Sequence, residues 1–474
     1  MKLEQIYTGC LAHGAYYIES EGEAAVIDPL REIQPYLEMA EERGAKIKYI
    51  FETHFHADFV SGHVDLSKKT GAPIIYGPTS MKTGFDALIA RDGQEFKLGK
   101  SVIKVIHTPG HTLESSCYLL IDENGKEKAL FTGDTLFIGD VGRPDLAQHV
   151  IADLTQEKLA AYLYDSLRNK IMPLSDDIIV YPAHGAGSAC GKNLSKQTYD
   201  TLGNQKKTNY ALRKNMTKDE FITELLEGLT QPPGYFPKNV MMNIQGYESI
   251  DEVLEKGTKA LTAEEFKTIM DLENVIVLDA REGKNFAKGF IPGSINISLY
   301  GSFAVWAGTL ISDINQKIII ICDEGKESEA VTRLSRVGYD NTAGYLKGGI
   351  DAWKKAGYSL DKIPTITVKE FSEIEEKDNS INILDVRKKS EYDSEHIVNA
   401  VNAPLDYIED SLELVDKNKK YYVHCDAGYR SMIFASILKT RGYDNLIDVD
   451  GGFKSIKESG KFIISDYSCP TTML

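Results

Sequence analysis

The sequence predicts a multidomain protein of the α/β class, and three observations support this prediction. At 474 residues the chain is long enough for about three domains of ~150 residues. In its first half, short β-rich runs such as 47–51 end in polar loops. In its second half, one order of strand, loop and helix signals occurs twice, with Cys322 and Cys425 at equivalent places 103 residues apart. We therefore expect one larger α/β domain followed by two smaller ones.

The composition indicates a globular protein with a strong negative charge. Hydrophobic residues make up 42% of the chain, and the formal net charge is −16. Nucleic acids and anionic membranes attract clustered Lys and Arg, so this charge argues against either as a main partner. No apolar run approaches the ~20 residues of a membrane helix, and the residues after Met1 lack the apolar stretch of a signal peptide. We expect a cytoplasmic protein that acts on small molecules, and we expect a homo-oligomer.

Six cysteines are spread over the chain without a CxxC pair or a dense framework. They are Cys10, Cys117, Cys190, Cys322, Cys425 and Cys469. In a chain of this length such spacing predicts reduced thiols rather than disulfides. Some of these thiols are therefore candidates for chemistry, whereas Cys10 and Cys117 are expected to be structural.

The first half of the chain contains a candidate metal site. Histidine and aspartate alternate directly after the β-rich run 47–51, and three later strand-to-loop junctions provide further donors. Such groups at strand ends on one edge of a sheet can converge on one metal ion. The candidate donors are His54, His56, Asp58, His111, Asp134 and His184.

The motifs around these donors, HxHxD, TPGH, GDT and PAHG in that order, resemble the metallo-β-lactamase superfamily. The resemblance implies an αββα fold, which we assign to residues 1–245. The superfamily's full motif is HxHxDH, but Phe59 occupies the last position here. An aromatic ring cannot ligate a metal, so Asp58 and His184 lose their usual partner at a second metal. We therefore expect a site for a single ion.

The site most resembles the persulfide dioxygenases, a branch of this superfamily. Two imidazoles and one carboxylate on one face leave open positions, which suits non-haem Fe(II). The resemblance implies one Fe(II) per chain, with His54, His111 and Asp134 as its ligands. It implies that the remaining donors orient the ligands or the substrate, or bind metal themselves; these are His56, Asp58 and His184. The same ligands would accept zinc, so the residues leave the metal open.

The second half consists of two copies of one module of ~100 residues. Each copy begins with a capping box, continues through an LDxR strand and a cysteine loop, and ends with GYDN and a Gly-Gly pair. This order resembles the rhodanese family of sulfurtransferases, which implies α/β rhodanese domains at 258–360 and 364–465. A glycine-containing loop at a helix N-terminus lowers the pKa of such a cysteine and holds a persulfide anion.

The two cysteine loops differ in charge. In the second copy the loop from Cys425 has the CxxGxRS pattern, in which Arg430 adds positive potential. In the first copy Glu327 occupies the place of Arg430, and Glu324 adds a further acid beside Cys322. Nearby carboxylates raise a thiol pKa and repel sulfite and persulfide anions. We therefore expect Cys425, with Arg430, to carry sulfur and the first copy to be degenerate.

Two further segments bear on the organisation of the chain. Small residues surround Cys190, just after His184, so this thiol is either a sulfur relay close to the metal or a buried structural thiol. A helix is expected to begin at Thr217 and to stop by Pro232. The aromatic residues of 235–239 are then expected to cover the junction with the first rhodanese copy.

Together these resemblances imply a persulfide dioxygenase coupled to sulfur transfer. The first domain would oxidise a low-molecular-weight persulfide with dioxygen to sulfite, and Cys425 would pass persulfide sulfur to sulfite, giving thiosulfate, in sulfide detoxification. The carrier thiol stays open among glutathione, coenzyme A, bacillithiol, cysteine and inorganic polysulfide. Two alternatives are a glyoxalase-II-like thioester hydrolase with two metals and a sulfur carrier or sensor without oxygenase turnover. Flavodiiron oxygen reductases require HxExD, and His56 occupies the second position here.

Overall fold

The computed structural model describes residues 1–146 and 154–468. The chain divides into two compact units. The first comprises Met1–Asp251 with Ser335–Gly338, and the second comprises Glu252–Leu334 with the described residues from Tyr339 onward. Within the described ranges no helix is long and apolar enough to cross a membrane. Cys469, noted above as one of the six thiols, lies outside the described residues.

Two six-stranded sheets form the centre of the first unit, and in each sheet the strands lie side by side in chain order. The first sheet contains β1 (Lys2–Thr8), β2 (His13–Ser20), β3 (Glu23–Ile27), β4 (Lys46–Phe51), β5 (Ile74–Tyr76) and β6 (Ala87–Ile89). The second sheet contains β7 (Glu95–Leu98), β8 (Ser101–His107), β9 (Ser116–Ile121), β10 (Glu127–Gly133), β11 (Ile179–Pro182) and β12 (Asp200–Thr201). Alternate residues such as Ile18 of β2 and Val105 of β8 meet in one buried core between the sheets.

Helices cover the outer face of each sheet. Tyr36 and Leu66 belong to the core on the first sheet, whereas Leu163 and Phe221 belong to the core on the second. The helices are α1 (Gln34–Glu42), α2 (His63–Thr70), α3 (Gln156–Ser166), α4 (Leu202–Thr208), α5 (Lys218–Leu226) and α6 (Phe236–Gln245), followed by α7 (Ile250–Gly257). Short π and 3-10 turns lie at Leu167–Ile171 and Tyr210–Leu212. The expected αββα arrangement is confirmed.

The second unit contains two five-stranded parallel sheets with the same strand order. The first copy has β13 (Ala260–Leu261), β14 (Val275–Asp279), β15 (Ile295–Asn296), β16 (Lys317–Ile321) and β17 (Thr342–Leu346), with α8 (Ala263–Met270), α9 (Gly283–Lys288), α10 (Phe303–Leu310), α11 (Glu327–Ser335) and α12 (Gly349–Lys355). The second copy has β18 (Thr365–Ile366), β19 (Asn382–Asp385), β20 (Val401–Asn402), β21 (Tyr421–His424) and β22 (Leu446–Val449), with α13 (Val368–Glu375), α14 (Lys389–Ser394), α15 (Ile408–Leu412), α16 (Tyr429–Thr440) and α17 (Gly452–Ser459). A 3-10 turn at Leu405–Tyr407 precedes α15.

The predicted repeat is confirmed in detail. Thr262 and Thr367 each close a capping box at the start of the first helix of their copy. In each LDxR strand the arginine turns back onto the aspartate two residues earlier, with Nη2 2.6 Å from Oδ2 in both copies. The two modules therefore share local hydrogen bonding as well as strand order.

The predicted helix start at Thr217 is confirmed by its capping box with Glu220. In residues 235–239, whose aromatic residues are expected to cover the junction, α6 begins at Phe236. Pro237 lies in the first turn, where its missing N–H leaves no helical hydrogen bond unmade. Buried side chains of α6 line a cavity beside the candidate metal ligands, so this helix is part of the first unit.

Candidate metal centre and cysteine loops

The six candidate donors meet where strands of the two sheets of the first unit end. Three of them follow β4, and the others follow β8, β10 and β11. None of the six is more than 6% exposed. Burying this many ionisable groups is costly unless something compensates them, so the cluster points to a bound cation.

His54, His111 and Asp134 form a three-donor group whose ligand atoms lie within 4.8 Å of one another. Asp134 Oδ2 lies 3.9 Å from His54 Nε2 and 3.4 Å from His111 Nε2. Neither carboxylate oxygen of Asp134 has a hydrogen-bond partner in the described part of the chain. Unpartnered oxygens facing two imidazoles fit a metal ion, and these residues are the ones predicted to hold Fe(II).

Hydrogen bonds behind the imidazoles direct both Nε2 atoms toward Asp134. Thr53 Oγ1 donates to Asp28 Oδ2 at 2.8 Å, so it accepts from His54 Nδ1 at 3.0 Å. His111 Nδ1 donates to the carbonyl of Arg143 at 2.7 Å. With Nδ1 carrying the proton, each Nε2 keeps the lone pair that a metal needs.

Burial and the neighbouring imidazoles of His56 and His111 hold the pKa of His54 well below its usual range. Only a neutral imidazole ligates a metal, so this environment favours the binding form. The imidazole of His54 is therefore already in the neutral form that metal binding needs.

The second group of donors comprises His56, Asp58 and His184. His184 Nε2 lies 3.3 Å from Asp58 Oδ2 and 3.6 Å from Asp134 Oδ1. Although burial opposes it, the two carboxylates raise the pKa of His184 well above 6.5. Burial also opposes the effect of His184 on Asp58, whose pKa nevertheless falls to about 2. Asp58 and His184 therefore form an ion pair within this group.

Phe59 fills the space beside this second group. Its fully buried ring lies 4.2 Å from the ring of His13 and 4.4 Å from that of His56, measured between centroids. A histidine at this position would add a donor, whereas the phenyl ring adds only apolar surface.

His56 is anchored on the side of Asp28 and Glu52. Its Nε2 lies 3.1 Å from Asp28 Oδ1 and 3.6 Å from Glu52 Oε2. The same Asp28 carboxylate accepts the backbone N–H of Thr53 at 2.7 Å. Asp28 therefore positions both histidines of the HxHxD loop, one directly and the other through Thr53.

Asn243 of α6 is a supporting residue that the sequence analysis missed. Its Nδ2 donates to the carbonyls of His56 and Phe59 at 2.8 Å each, and its Oδ1 accepts the N–H of Ser61 at 2.9 Å. A single side chain thus satisfies three backbone groups of the metal-binding loop. The available sequence signal was Pro237, which is typical of a first helical turn and is followed by apolar residues at helical spacing.

Cys190 lies beside the second group, and its Sγ is within 4.8 Å of ligand atoms of Asp134 and His184. Burial raises the pKa of Cys190 to about 12, and Asp58 and Asp134 add to this. A cation at Asp134 would oppose those carboxylates and favour the thiolate.

A small and mainly apolar cavity adjoins His111. Its volume is about 30 Å³, above the roughly 10–15 Å³ that one water needs. Its walls include Phe55, Leu113, Val240 and Ile244. This space suits a small terminal group in mainly apolar surroundings next to His111.

In the second copy, the Cys425 loop has the geometry of an anion cradle. The N–H of Gly428 donates to Cys425 Sγ at 3.1 Å, and α16 begins at the next residue. Gly428 has a φ of 96°, which glycine adopts without strain. A Cβ on Gly452 would lie 2.5 Å from the carbonyl of Cys425, so the approach of the Gly-Gly turn also requires glycine.

Arg430 is ion-paired, which qualifies its predicted role. Its Nη1 and Nη2 lie 2.5 and 2.8 Å from the carboxylate oxygens of Glu391 in α14. Glu391 was not among the predicted site residues. Glu391 therefore neutralises part of the positive potential that Arg430 was expected to provide at Cys425. An anion on Cys425 depends more on the backbone N–H of Gly428.

The first copy has lost this cradle. The N–H of Gly325, equivalent to Gly428, donates to Glu327 Oε1 at 3.2 Å. Burial, Glu327 and Asp323 raise the pKa of Cys322 to about 12. The acid at the position of Arg430 thus removes the hydrogen bond donor and also opposes the thiolate.

Comparison with known proteins agrees with this architecture. The sequence profile of the metallo-beta-lactamase superfamily matches residues 8–184, and that of the rhodanese-like domain matches residues 262–356 and 367–459. A solved metallo-beta-lactamase from Staphylococcus aureus is 32% identical, with a TM-score of 0.64, and the match covers 73% of this chain and 98% of that one.

Two curated relatives match the first part of the chain. A hydroxyacylglutathione hydrolase of Rhizobium etli is 39% identical over 34% of this chain and 57% of its own length. The hydroxyacylglutathione hydrolase GloC of Haemophilus influenzae is 27% identical over 40% of this chain and 88% of its own length. The chain thus spans little more than half of the Rhizobium relative. It belongs to the metallo-β-lactamase superfamily, with two rhodanese-like domains after the metallo-β-lactamase domain.

Proposed function

We propose that the protein is a persulfide dioxygenase coupled to sulfur transfer. The first unit holds one Fe(II) at His54, His111 and Asp134 and converts a low-molecular-weight persulfide and dioxygen to sulfite and thiol. The observation that carries the proposal is the group of three facing donors, and Phe59, in place of the second metal's histidine, supports it without being required. Cys425 in the same chain, whose Sγ accepts the N–H of Gly428, would then transfer sulfur to that sulfite.

Ferrous iron held by these three residues would supply dioxygen activation and open coordination positions. The residues of the chain prepare the site around it. Thr53 and the carbonyl of Arg143 fix the two imidazoles, and Asn243 fixes the loop that carries them. The mainly apolar walls of the cavity would lie beside the substrate sulfur.

The overall reaction balances with water as the third reactant. One persulfide, one dioxygen and one water give one thiol, one sulfite and two protons. The terminal sulfur of the persulfide is oxidised and both atoms of dioxygen are reduced. The S–S bond breaks, and the carrier leaves as its thiol.

Sulfur transfer follows at Cys425 in the second unit. The carrier persulfide passes its terminal sulfur to the Cys425 thiolate and leaves as thiol. Sulfite then attacks that terminal sulfur, the S–S bond breaks, and Cys425 departs as a thiolate. The N–H of Gly428 and the N-terminus of α16 stabilise that departing charge, and thiosulfate is the product.

Cys190 is a candidate relay for sulfur leaving the metal centre, because it is buried within reach of Asp134 and His184. The same geometry favours one alternative. A thiolate at Cys190 would supply the donor that Phe59 does not and complete a second metal site with Asp134 and His184. A dinuclear centre of that kind supports the hydrolase function, which the named relatives perform.

The functions separate in one comparison of iron-loaded protein with a glutathione persulfide and with a glutathione thioester. We expect oxygen uptake with sulfite and thiosulfate from the persulfide, and little hydrolysis of the thioester. Rapid thioester hydrolysis with two tightly bound metals, abolished in Cys190→Ser, would favour the hydrolase. Persulfidation of Cys425 without oxygen uptake would favour a sulfur carrier or sensor.

A further inference from the structure

A cavity lies between the two rhodanese-like copies within the second unit. Its volume is about 310 Å³, at the lower end of the range for small-molecule sites. Lys284, Lys288 and Tyr300 line it from the first copy, and Gly428 and Asp448 line it from the second. Gly428 is the residue whose N–H holds Cys425 Sγ, so the cavity shares a wall with the sulfur cradle.

Asp448 is the unusual residue of this cavity. The residue is only 4% exposed. In the ranges that the structure describes, its Oδ1 has no hydrogen-bond partner. Burial raises the pKa of Asp448 to about 7, Asp450 adds to this, and Ser431 and Lys284 oppose it. A buried carboxyl with an unpaired oxygen is destabilising by itself.

The repeat shows that the fold does not require this carboxyl. Counted back from the Gly-Gly pair, Tyr345 of β17 occupies the place of Asp448 in β22. The first copy forms the same sheet with a phenol at that position. The destabilisation caused by burying Asp448 in the second copy is therefore not a requirement of the fold. We expect a bound partner to offset it.

The charges around the cavity indicate what that partner carries. At the rim, Lys284 Nζ lies 3.2 Å from Asp450 Oδ1, which leaves Asp448 as the inner carboxylate. Lys288 and Glu282 of the first copy complete the charged lining. An inner carboxylate and an outer ammonium match a ligand with the opposite order of charges.

We propose that this cavity binds the α-amino acid end of a small thiol, with the ligand's ammonium against Asp448 and its carboxylate against Lys288. Glutathione and cysteine carry such an end, whereas bacillithiol has the ammonium without the adjacent carboxylate and coenzyme A has no such ammonium. The inference concerns binding in the second unit and does not depend on the metal chemistry of the first.

The probe is S-methylglutathione, whose blocked sulfur cannot react with the cysteines. Calorimetric titration of the full-length protein at pH 8 should show one site per chain, and Asp448→Asn should weaken binding at least tenfold. Asp450→Asn removes the same charge from the rim and serves as the matched control, with less than a threefold change. N-acetylation of the probe, which removes its ammonium, should weaken binding to the unaltered protein at least tenfold.

Absence of binding up to about 10 mM probe, roughly ten times a millimolar Kd, would overturn the proposal. Equal affinity of Asp448→Asn and the unaltered protein would also overturn it, because the site would then lie elsewhere. The comparison of S-methylglutathione with its N-acetylated form uses only the unaltered protein, so it does not depend on the folding of a variant. Equal binding of the two probes would show that Asp448 does not bind the ammonium.

Discussion

Asn243 offers a test of how the metal-binding loop is held. Asn243→Ala removes three hydrogen bonds, to the carbonyls of His56 and Phe59 and from the N–H of Ser61. The residue is 1% exposed, so water does not replace them readily. At ~1 kcal/mol net for each bond, the loss is about 3 kcal/mol in the free energy of unfolding.

For a unit of this size, 1 kcal/mol corresponds to a shift of about 2–4 °C in Tm. We therefore expect the transition of the first unit to fall by roughly 6–12 °C. The variant should also retain less iron after desalting, because the loop carries His54. Thermal unfolding followed by circular dichroism and iron analysis of the same samples measure both effects.

Asn239 provides a matched control one turn earlier in α6. It is fully buried, yet neither amide atom has a hydrogen-bond partner within the described residues. Asn239→Ala makes a cavity of the same size without breaking such bonds, so its Tm should change by less than about 3 °C. Equal losses of Tm and of iron in the two variants would refute the reasoning.

Three further predictions concern the metal and the two cysteine loops. Phe59→His places an imidazole beside Asp58 and His184 and should raise the metal content from one to two ions per chain; content that stays at one would show that these residues cannot form a second site. Cys425→Ser should keep most of the oxygen uptake and shift the product from thiosulfate to sulfite, whereas uptake lost as fully as in His54→Ala would mean that the two sites work as one. Because its pKa is raised to about 12, Cys322 should alkylate at pH 8 roughly 1000-fold more slowly than a thiol of ordinary pKa. Its rate should rise with pH and increase in Glu327→Arg; a fast, pH-independent reaction at Cys322 would contradict the role given to Glu327.

Much of the fold and the donor set could be predicted because the signals are local. His54, His111 and Asp134 each follow a β-rich run, and they meet because β4 of one sheet and β8 and β10 of the other end at the same edge of the first unit. The internal repeat was legible because the same capping boxes and glycine turns occur twice. The Cys425 loop could be predicted because its CxxGxRS pattern is contained in seven consecutive residues.

Long-range contacts account for what the sequence did not reveal. Asn243 contacts a loop more than 180 positions earlier in the chain. Glu391 pairs with Arg430 only because α14 and α16 pack in the same module. In the first copy, charge reasoning anticipated the effect of Glu327 on the thiol but not its capture of the Gly325 N–H.

The most direct test of the central claim is a titration of metal-free protein with Fe(II) under dioxygen and excess persulfide. Oxygen uptake is recorded at each iron equivalent. We predict that uptake rises linearly to one iron per chain and then stays constant, with one dioxygen consumed for each sulfite or thiosulfate formed, and that Asp134→Ala stays near zero throughout. Uptake that requires two irons per chain, or that is absent while a thioester is hydrolysed, would contradict the account.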